Sequence, residues 1–377
     1  MKIGVPKETA EGERRVALVP EVVKKLSDAG HAVLVQRGAG AEAMIPDAQF
    51  EAAGAEIADD LVALWQSDVV VKVAPPSAEE VVRLGKDSVL IGFLAPLTNA
   101  EGVRALAASG ATAFALEAVP RISRAQSMDA LSSQSNVAGY RAALMGAQEM
   151  GRFYPMLMTA AGTIRPATVL VLGAGVAGLQ AIATARRLGA VVQGFDVRSV
   201  VKEQVESLGA TFLEFDLGGD LEGEGGYAKE LTPEQQARQQ ELMAEAIGKC
   251  DVVITTALVP GRRAPILVTE DAVKRMKPGS VVIDLAGEAG GNCELTEPGQ
   301  TVIRHDVKIV APLNVPSTMA EHSSQLYARN IEALLGLMVE EGALALDFDD
   351  EVIAGACIVR GGEIVHEGAK AAAGQPA

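Results

Sequence analysis

One stretch constrains this chain more than any other: Val169-Leu-Val-Leu-Gly-Ala-Gly-Val-Ala-Gly178, with Asp196 eighteen residues further on. An apolar run enters Gly173-x-Gly175-x-x-Gly178, and an alanine-rich helical pattern leaves it. A second apolar run, Val191 to Phe195, ends on the Asp196 carboxylate. This order predicts strand, tight turn, helix and strand. Gly173 permits the turn, Gly175 lets a pyrophosphate approach the backbone, and Gly178 lets the helix pack closely on the strand. Free N–H groups at the helix start attract phosphate charge. A carboxylate at the end of the second strand accepts hydrogen bonds from an adenosine ribose and repels a 2′-phosphate. Asp196 therefore favours NAD over NADP.

The rest of the chain extends this pattern. Apolar strands are predicted near residues 2–5, 32–36, 69–73, 88–95 and 111–117, and again near 168–172, 191–195, 210–215, 251–256, 280–285 and 307–311. Helical segments lie between them, such as the one from Pro20 stopped by Gly30 and the one from Asn99 stopped by Gly110. Alternating strands and helices imply α/β architecture with two doubly wound, Rossmann-like parallel sheets. Two long helices, one ending near Arg152 and one over about 320–341, mark the junctions. The chain is expected to leave a first domain (1–131 plus 324–377), build a second, dinucleotide-binding domain (132–323), and return. Two short apolar runs around Gly361-Gly362 read as a terminal hairpin.

Composition excludes several classes. With 49% hydrophobic but only 3% aromatic residues, the chain suits a compact aliphatic core rather than disorder. A net charge of −16 disfavours nucleic acid and anionic membrane surfaces as partners. Cys250, Cys293 and Cys357 are far apart and form no Cys-x-x-Cys pair, which predicts reduced thiols with no disulfide or zinc framework. Met1-Lys-Ile-Gly-Val-Pro reads directly as a first strand, with no leader. The twenty uncharged residues from Pro166 to Ala185 are long enough to suggest a membrane span. The glycine turn in their middle assigns them instead to a buried strand and helix. Gly218 to Lys229 is glycine-dense and charged, and its one aromatic, Tyr227, suggests a lid rather than a linker.

At Arg121-Ile-Ser-Arg-Ala-Gln-Ser-Met-Asp-Ala-Leu-Ser-Ser-Gln-Ser-Asn136, together with the glycine fingerprint, the sequence closely resembles the NAD(H)-binding component of proton-translocating nicotinamide nucleotide transhydrogenases. Thr255-Thr-Ala-Leu-Val-Pro-Gly261 and Ile283-Asp-Leu-Ala-Gly-Glu-Ala-Gly-Gly-Asn-Cys293 extend the likeness over essentially the whole chain. The resemblance implies a homodimer of two-domain protomers with NAD(H) in the cleft between the domains. It also implies a partner subunit carrying NADP(H) with a membrane domain, and a cytoplasmic location peripheral to the inner membrane through those partners. It places Arg121, Ile122, Ser123, Gln126, Asp129 and Ser132 at the nicotinamide and its ribose, with Gln126, Arg121 and Asp129 closest to the reaction. Gly173, Ala174, Gly175, Val176 and Gly178 fall at the pyrophosphate, and Asp196, Val197 and Arg198 at the adenosine. Gly226 and Tyr227 match the closing loop, with Gln239 and Leu258 nearby. An Arg121–Asp129 pair would brace the nicotinamide surface.

The wider superfamily includes alanine dehydrogenase, and a self-contained enzyme of that kind is the chief alternative. Arg15 and Lys72 match positions that bind its substrate. Against it, Ala95 and Pro96 stand where that family places a catalytic histidine, and Glu288 where it places an aspartate. Imine reduction needs proton transfer, and His31, His305, His322 and His366 read as surface or core residues. A third reading is an NAD-sensing protein with no hydride acceptor.

Overall fold

The computed structural model describes residues 1–215 and 232–374. The chain divides into two compact units, residues 1–134 with 316–377 and residues 135–315.

The first unit opens with β1 (Lys2–Val5), α1 (Pro20–Asp28), β2 (Ala32–Gln36), α2 (Asp47–Ala52) and β3 (Glu56–Ala58). It continues through α3 (Leu61–Trp65), β4 (Val69–Val71), α4 (Ala78–Arg83), β5 (Val89–Gly92), α5 (Ala100–Ser109) and β6 (Thr112–Ala115). A twenty-residue helix, α6 (Ala130–Glu149), begins in this unit and runs into the second. The second unit adds β7 (Leu157–Thr159), β8 (Gly162–Ile164), β9 (Thr168–Leu172), α7 (Val176–Arg187), β10 (Val191–Phe195) and α8 (Lys202–Ser207). Next come β11 (Thr211–Phe212), α9 (Pro233–Gly248), β12 (Val252–Thr255), α10 (Glu270–Arg275), β13 (Val281–Asp284), β14 (Thr301–Arg304) and β15 (Val307–Val310). The first unit then resumes with α11 (Ala320–Leu335), β16 (Val339–Glu340), β17 (Ala343–Leu344), α12 (Glu351–Ala356), β18 (Cys357–Arg360), β19 (Glu363–Ile364) and α13 (Glu367–Ala372).

Both units build the same sheet. The first has strand order β3-β2-β1-β4-β5-β6, continued by antiparallel β18 and β19. The second has β11-β10-β9-β12-β13-β15, continued by antiparallel β14. In each, a central strand is flanked by crossovers to either side, so a crevice opens beyond the strand ends where the winding reverses. That switch point lies between β1 and β4 in one unit and between β9 and β12 in the other.

Helices cover both faces of each sheet, which is why the central strands are apolar throughout rather than alternating. Ile3, Val5, Val69, Val71 and Ile91 pack toward α1 and α11, whereas Val70 and Leu90 pack toward α3, α4 and α5. In the second unit Val169, Val171, Ile254 and Ile283 share a core with Ala181, Ile182 and Ala185 of α7. Leu170, Leu172 and Val253 face Met243 and Ile247 of α9.

The structure corrects several sequence expectations. β3 is not foreseen by the sequence, because three residues beside glycine and acids carry too little pattern. Neither is the small β7–β8 hairpin. The strand near 210–215 shortens to two residues, and the sheets are not wholly parallel, since β14 and β18 run against their neighbours and β19 turns back along β18. The helix expected to reach residue 341 stops at Leu335, where Gly336 and a hairpin closed by Gly342 take over. The hairpin around Gly361-Gly362 forms as expected, and the twenty-residue apolar run is β9 and α7. Among the described residues no helix is long and apolar enough to cross a membrane. The glycine-dense stretch at 218–229, including Gly226 and Tyr227, lies outside the described residues.

The helix bearing the glycine fingerprint is held unusually close. A Cβ built on Gly139 of α6 would stand 2.0 Å from the Ala177 carbonyl oxygen in the first turn of α7. Backbone cannot yield as a side-chain tip can. Gly139→Ala is therefore expected to lower the unfolding free energy by about 1–3 kcal/mol, the usual range for overpacking. Urea denaturation checks this, and an unchanged midpoint would show that the two helices separate without cost.

Candidate nucleotide-binding site

The fingerprint folds as a turn at the second unit's switch point. Gly173 follows β9 with φ +98°, a conformation that costs other residues but not glycine. Its carbonyl oxygen would lie 1.8 Å from a Cβ on Gly178, so residue 178 has to be glycine for α7 to start here. Gly175 caps α7 with nothing near its absent side chain, leaving open space at the helix start. The Thr256 hydroxyl donates to the Gly173 carbonyl (3.1 Å), tying the end of β12 to the turn.

Asp196 sits where β10 ends, as the spacing implied, and its bonding adds detail that the spacing did not carry. Its Oδ2 accepts the Ala174 N–H (2.7 Å). The same carboxylate accepts the backbone N–H of Arg198 (2.9 Å) and two guanidinium contacts (3.0 and 3.1 Å). Burial opposes ionisation of Asp196, but these hydrogen bonds outweigh it and hold the carboxyl below its ordinary range. Ala174 is therefore partly spent on Asp196, and the N–H groups of Gly175 and Val176 are the better placed for a phosphate. Val176, Val197, Leu258 and Val259 are exposed on the same unit. Gln239 is half-buried on α9.

The loop carrying Leu258 is clamped by a residue that sequence reasoning misses. Asn292, fully buried, accepts the Ala257 N–H (3.0 Å) and donates to the carbonyls of Ala257 (2.9 Å) and Pro265 (2.7 Å). Asp284 holds Asn292 in turn, accepting its N–H (2.8 Å) as well as the Thr255 hydroxyl (2.9 Å). The signal available in sequence is a polar pair at the end of an apolar strand, with nothing to say which backbone it will meet.

In the first unit, the segment after Pro120 forms a 3-10 turn, Ser123–Met128, anchored by buried Ala125 and Met128. Asn330 donates to the Ser127 carbonyl (2.8 Å), and Arg124 forks onto Asp350 (2.8 and 2.9 Å). This leaves Arg121, Ser123 and Gln126 exposed and Ile122 half-buried on a pinned turn. The expected Arg121–Asp129 pair does not form. Asp129 instead caps α6, accepting the Ser132 N–H (2.8 Å) and hydroxyl (2.6 Å), while Arg121 has no ion-pair partner among the described residues.

The first unit's own switch point is filled by charge. Lys72, only 1% exposed, lies between Glu8 (3.1 Å) and Glu80 (3.3 Å). Arg15 forks onto Glu13 (2.6 and 2.8 Å) and donates to Gln134 (2.9 Å). Burial pushes the Glu8 carboxyl up, with Lys72 opposing it. Ala95 adopts φ +50° with its N–H on Glu117 (2.7 Å) and presents only a methyl group. Glu288 accepts the Asn314 N–H (2.7 Å). His305 pairs with Glu270 (2.9 Å), His366 caps α13, His31 is buried at the start of β2, and His322 lines a shallow surface cleft with Arg14 and Glu42. Cys250, Cys293 and Cys357 are free and buried.

Known proteins resemble this chain over nearly its whole length. The model of the alanine dehydrogenase/PNT N-terminal domain matches residues 4–138, and that of the C-terminal domain matches residues 142–367. The first portion of the NAD(P) transhydrogenase alpha subunit of Rhodospirillum rubrum is 53% identical over 376 residues, covering 97% of this chain and 98% of its own. A solved transhydrogenase structure from Sinorhizobium meliloti superposes with a TM-score of 0.85 at 45% identity, covering 97% of this chain and 99% of that one. The alanine dehydrogenase of Mycolicibacterium smegmatis is more distant, 32% identical over 375 residues, with 97% and 95% covered. The chain belongs to the alanine dehydrogenase/PNT family and stands, within it, with the NAD(P) transhydrogenase alpha subunits.

Proposed function

We propose that this chain is the NAD(H)-binding subunit of a proton-translocating transhydrogenase, passing hydride between NAD(H) held here and NADP(H) held by a partner subunit. The observation that carries the reading is the contrast between the two switch points. One presents an open glycine turn, and the other is closed by the chain's own ion pairs, with a methyl group at Ala95 where a proton donor would be needed. That second arrangement does not suit imine reduction.

A bound nicotinamide supplies hydride transfer, which moves no proton at the reacting carbons. The protein's tasks are then to bind, to orient and to exclude water. In this reading Gly173, Gly175 and Gly178 shape the turn, and the N–H groups of Gly175 and Val176, with Ala174 beside them, take the pyrophosphate. Asp196, Val197 and Arg198 take the adenosine, with Leu258 and Gln239 alongside. Arg121, Ile122, Ser123, Gln126, Asp129 and Ser132 meet the nicotinamide end. The Gln126 amide can donate and accept, which matches a carboxamide without adding charge.

An alpha subunit implies a complex with other subunits. We assign to this one a homodimer that reaches the membrane only through its NADP(H)-binding partner. The β7–β8 hairpin supports the homodimer. A two-stranded ribbon is marginal by itself in water, yet this one exposes Met158 (76% exposed) and Ile164, next to exposed Phe153 and Met156. Such an apolar cluster fits burial against a second copy.

The purified chain is expected to bind NADH, to show no pyruvate- and ammonia-dependent NADH oxidation, and to transfer hydride to an NADP analogue once the NADP(H)-binding partner is added. Pyruvate-dependent turnover by the chain alone would reverse the assignment. Gln126→Asn is expected to leave the NADH Kd within about threefold while slowing hydride transfer at least about tenfold, because ring geometry rather than binding is disturbed. Stopped-flow transfer rates beside NADH titrations decide this, and an unchanged rate removes Gln126 from the role.

A further inference from the structure

The Asp196–Arg198 pair bears on nucleotide choice in a way that a strand-end acid alone does not. The carboxylate side chain is only 8% exposed, whereas the guanidinium is 57% exposed. Both carboxylate oxygens are engaged, Oδ1 by the Arg198 backbone N–H and Nε, Oδ2 by the Ala174 N–H and a terminal guanidinium nitrogen. Both oxygens of the inner member of the pair are thus engaged by the chain itself, and the outer, more accessible member is a cation. A guanidinium fork matches a phosphate as well as it matches a carboxylate.

We propose that Asp196 works as a mask. It occupies the fork of an arginine that would otherwise receive a 2′-phosphate, so NADP(H) is excluded by the pair and not by the acid's repulsion alone. The inference rests on the second unit binding NAD(H). A 2′-phosphate carries a charge of about −1.5 to −2. To reach Arg198 it has to displace a carboxylate that also holds Ala174 in the glycine turn, so the competition is lost together with a main-chain hydrogen bond. A ribose with a free 2′-hydroxyl makes no such demand. Exposed Val197 and Val200 on either side of Arg198 supply apolar surface and no competing charge.

The test is parallel titration of NADH and NADPH into the full-length wild-type chain, Asp196→Asn, and Asp196→Asn/Arg198→Ala. Asparagine keeps an oxygen for the Ala174 N–H and removes the charge. Asp196→Asn is expected to tighten NADPH binding at least about tenfold, the scale of one charge-assisted hydrogen bond. The gain should disappear in the double variant and shrink with added salt. Wild type that binds NADH, combined with Asp196→Asn that gains nothing for NADPH, overturns the mask alone. A gain that survives loss of Arg198 does the same. Wild type that binds neither nucleotide overturns the nucleotide reading and the mask with it. Should Asp196→Asn fail to fold, Arg198→Ala answers from the other side: an unmasked Asp196 should weaken NADPH binding further, and unchanged binding sinks the proposal.

Discussion

The separation between α7 and the end of β9 is the constraint on which the second unit depends. Gly173 and Gly178 let a carbonyl and a helix turn meet at a distance that a methyl group would forbid, and Gly139 presses α6 onto the same turn from its other side. Close packing of this kind is stiff, since interiors transmit strain instead of absorbing it. The helix start, the Thr256 tether and the Asp196 bond to Ala174 all refer to that one fixed point. What a ligand meets there is set before it arrives, which reduces the ordering that binding would otherwise require.

The two units show one topology put to two uses. Each sheet opens a crevice where its winding reverses, as doubly wound sheets do. In one, the start of α7 lies open, with nothing close to Gly175. In the other, Lys72 and Arg15 are met by Glu8, Glu80 and Glu13 from within the chain. Buried ions of this sort contribute little net stability, but removing one partner leaves an uncompensated charge. The cluster is therefore better understood as fixing that crevice in one closed arrangement than as strengthening the fold. Tyr327 reinforces it by donating to the Lys72 carbonyl (2.7 Å).

Much of this was legible in the sequence, and the boundary between legible and illegible is physical. The glycine turn, α7 and the strand ending at Asp196 lie within thirty residues of one another, so spacing alone orders them. The return of the chain to its first sheet was readable from the terminal apolar runs. What failed to show depended on partners distant in sequence. The turn bearing Gln126 is pinned by Asn330 and Asp350, about two hundred residues away, and no periodicity links them. Short-range choices were also missed when two partners competed. Asp129 takes the hydroxyl three residues on rather than the arginine eight residues back, because a helix cap brings the former into place at no cost in side-chain entropy. β14 escaped notice because an edge strand with arginine at its end and threonine at its start offers little apolar run to read.

Asn292 illustrates how a position can be selective without regard to size. Its amide faces two carbonyl oxygens and one N–H, so the orientation of its oxygen and nitrogen ends is dictated. An aspartate there would have the same outline and nearly the same volume, yet two of its three contacts would set oxygen against oxygen. A leucine would fill the space and silence all three. The site tallies protons rather than ångströms, and the peptide carrying Leu258 owes its course to which end of one small side chain bears hydrogen.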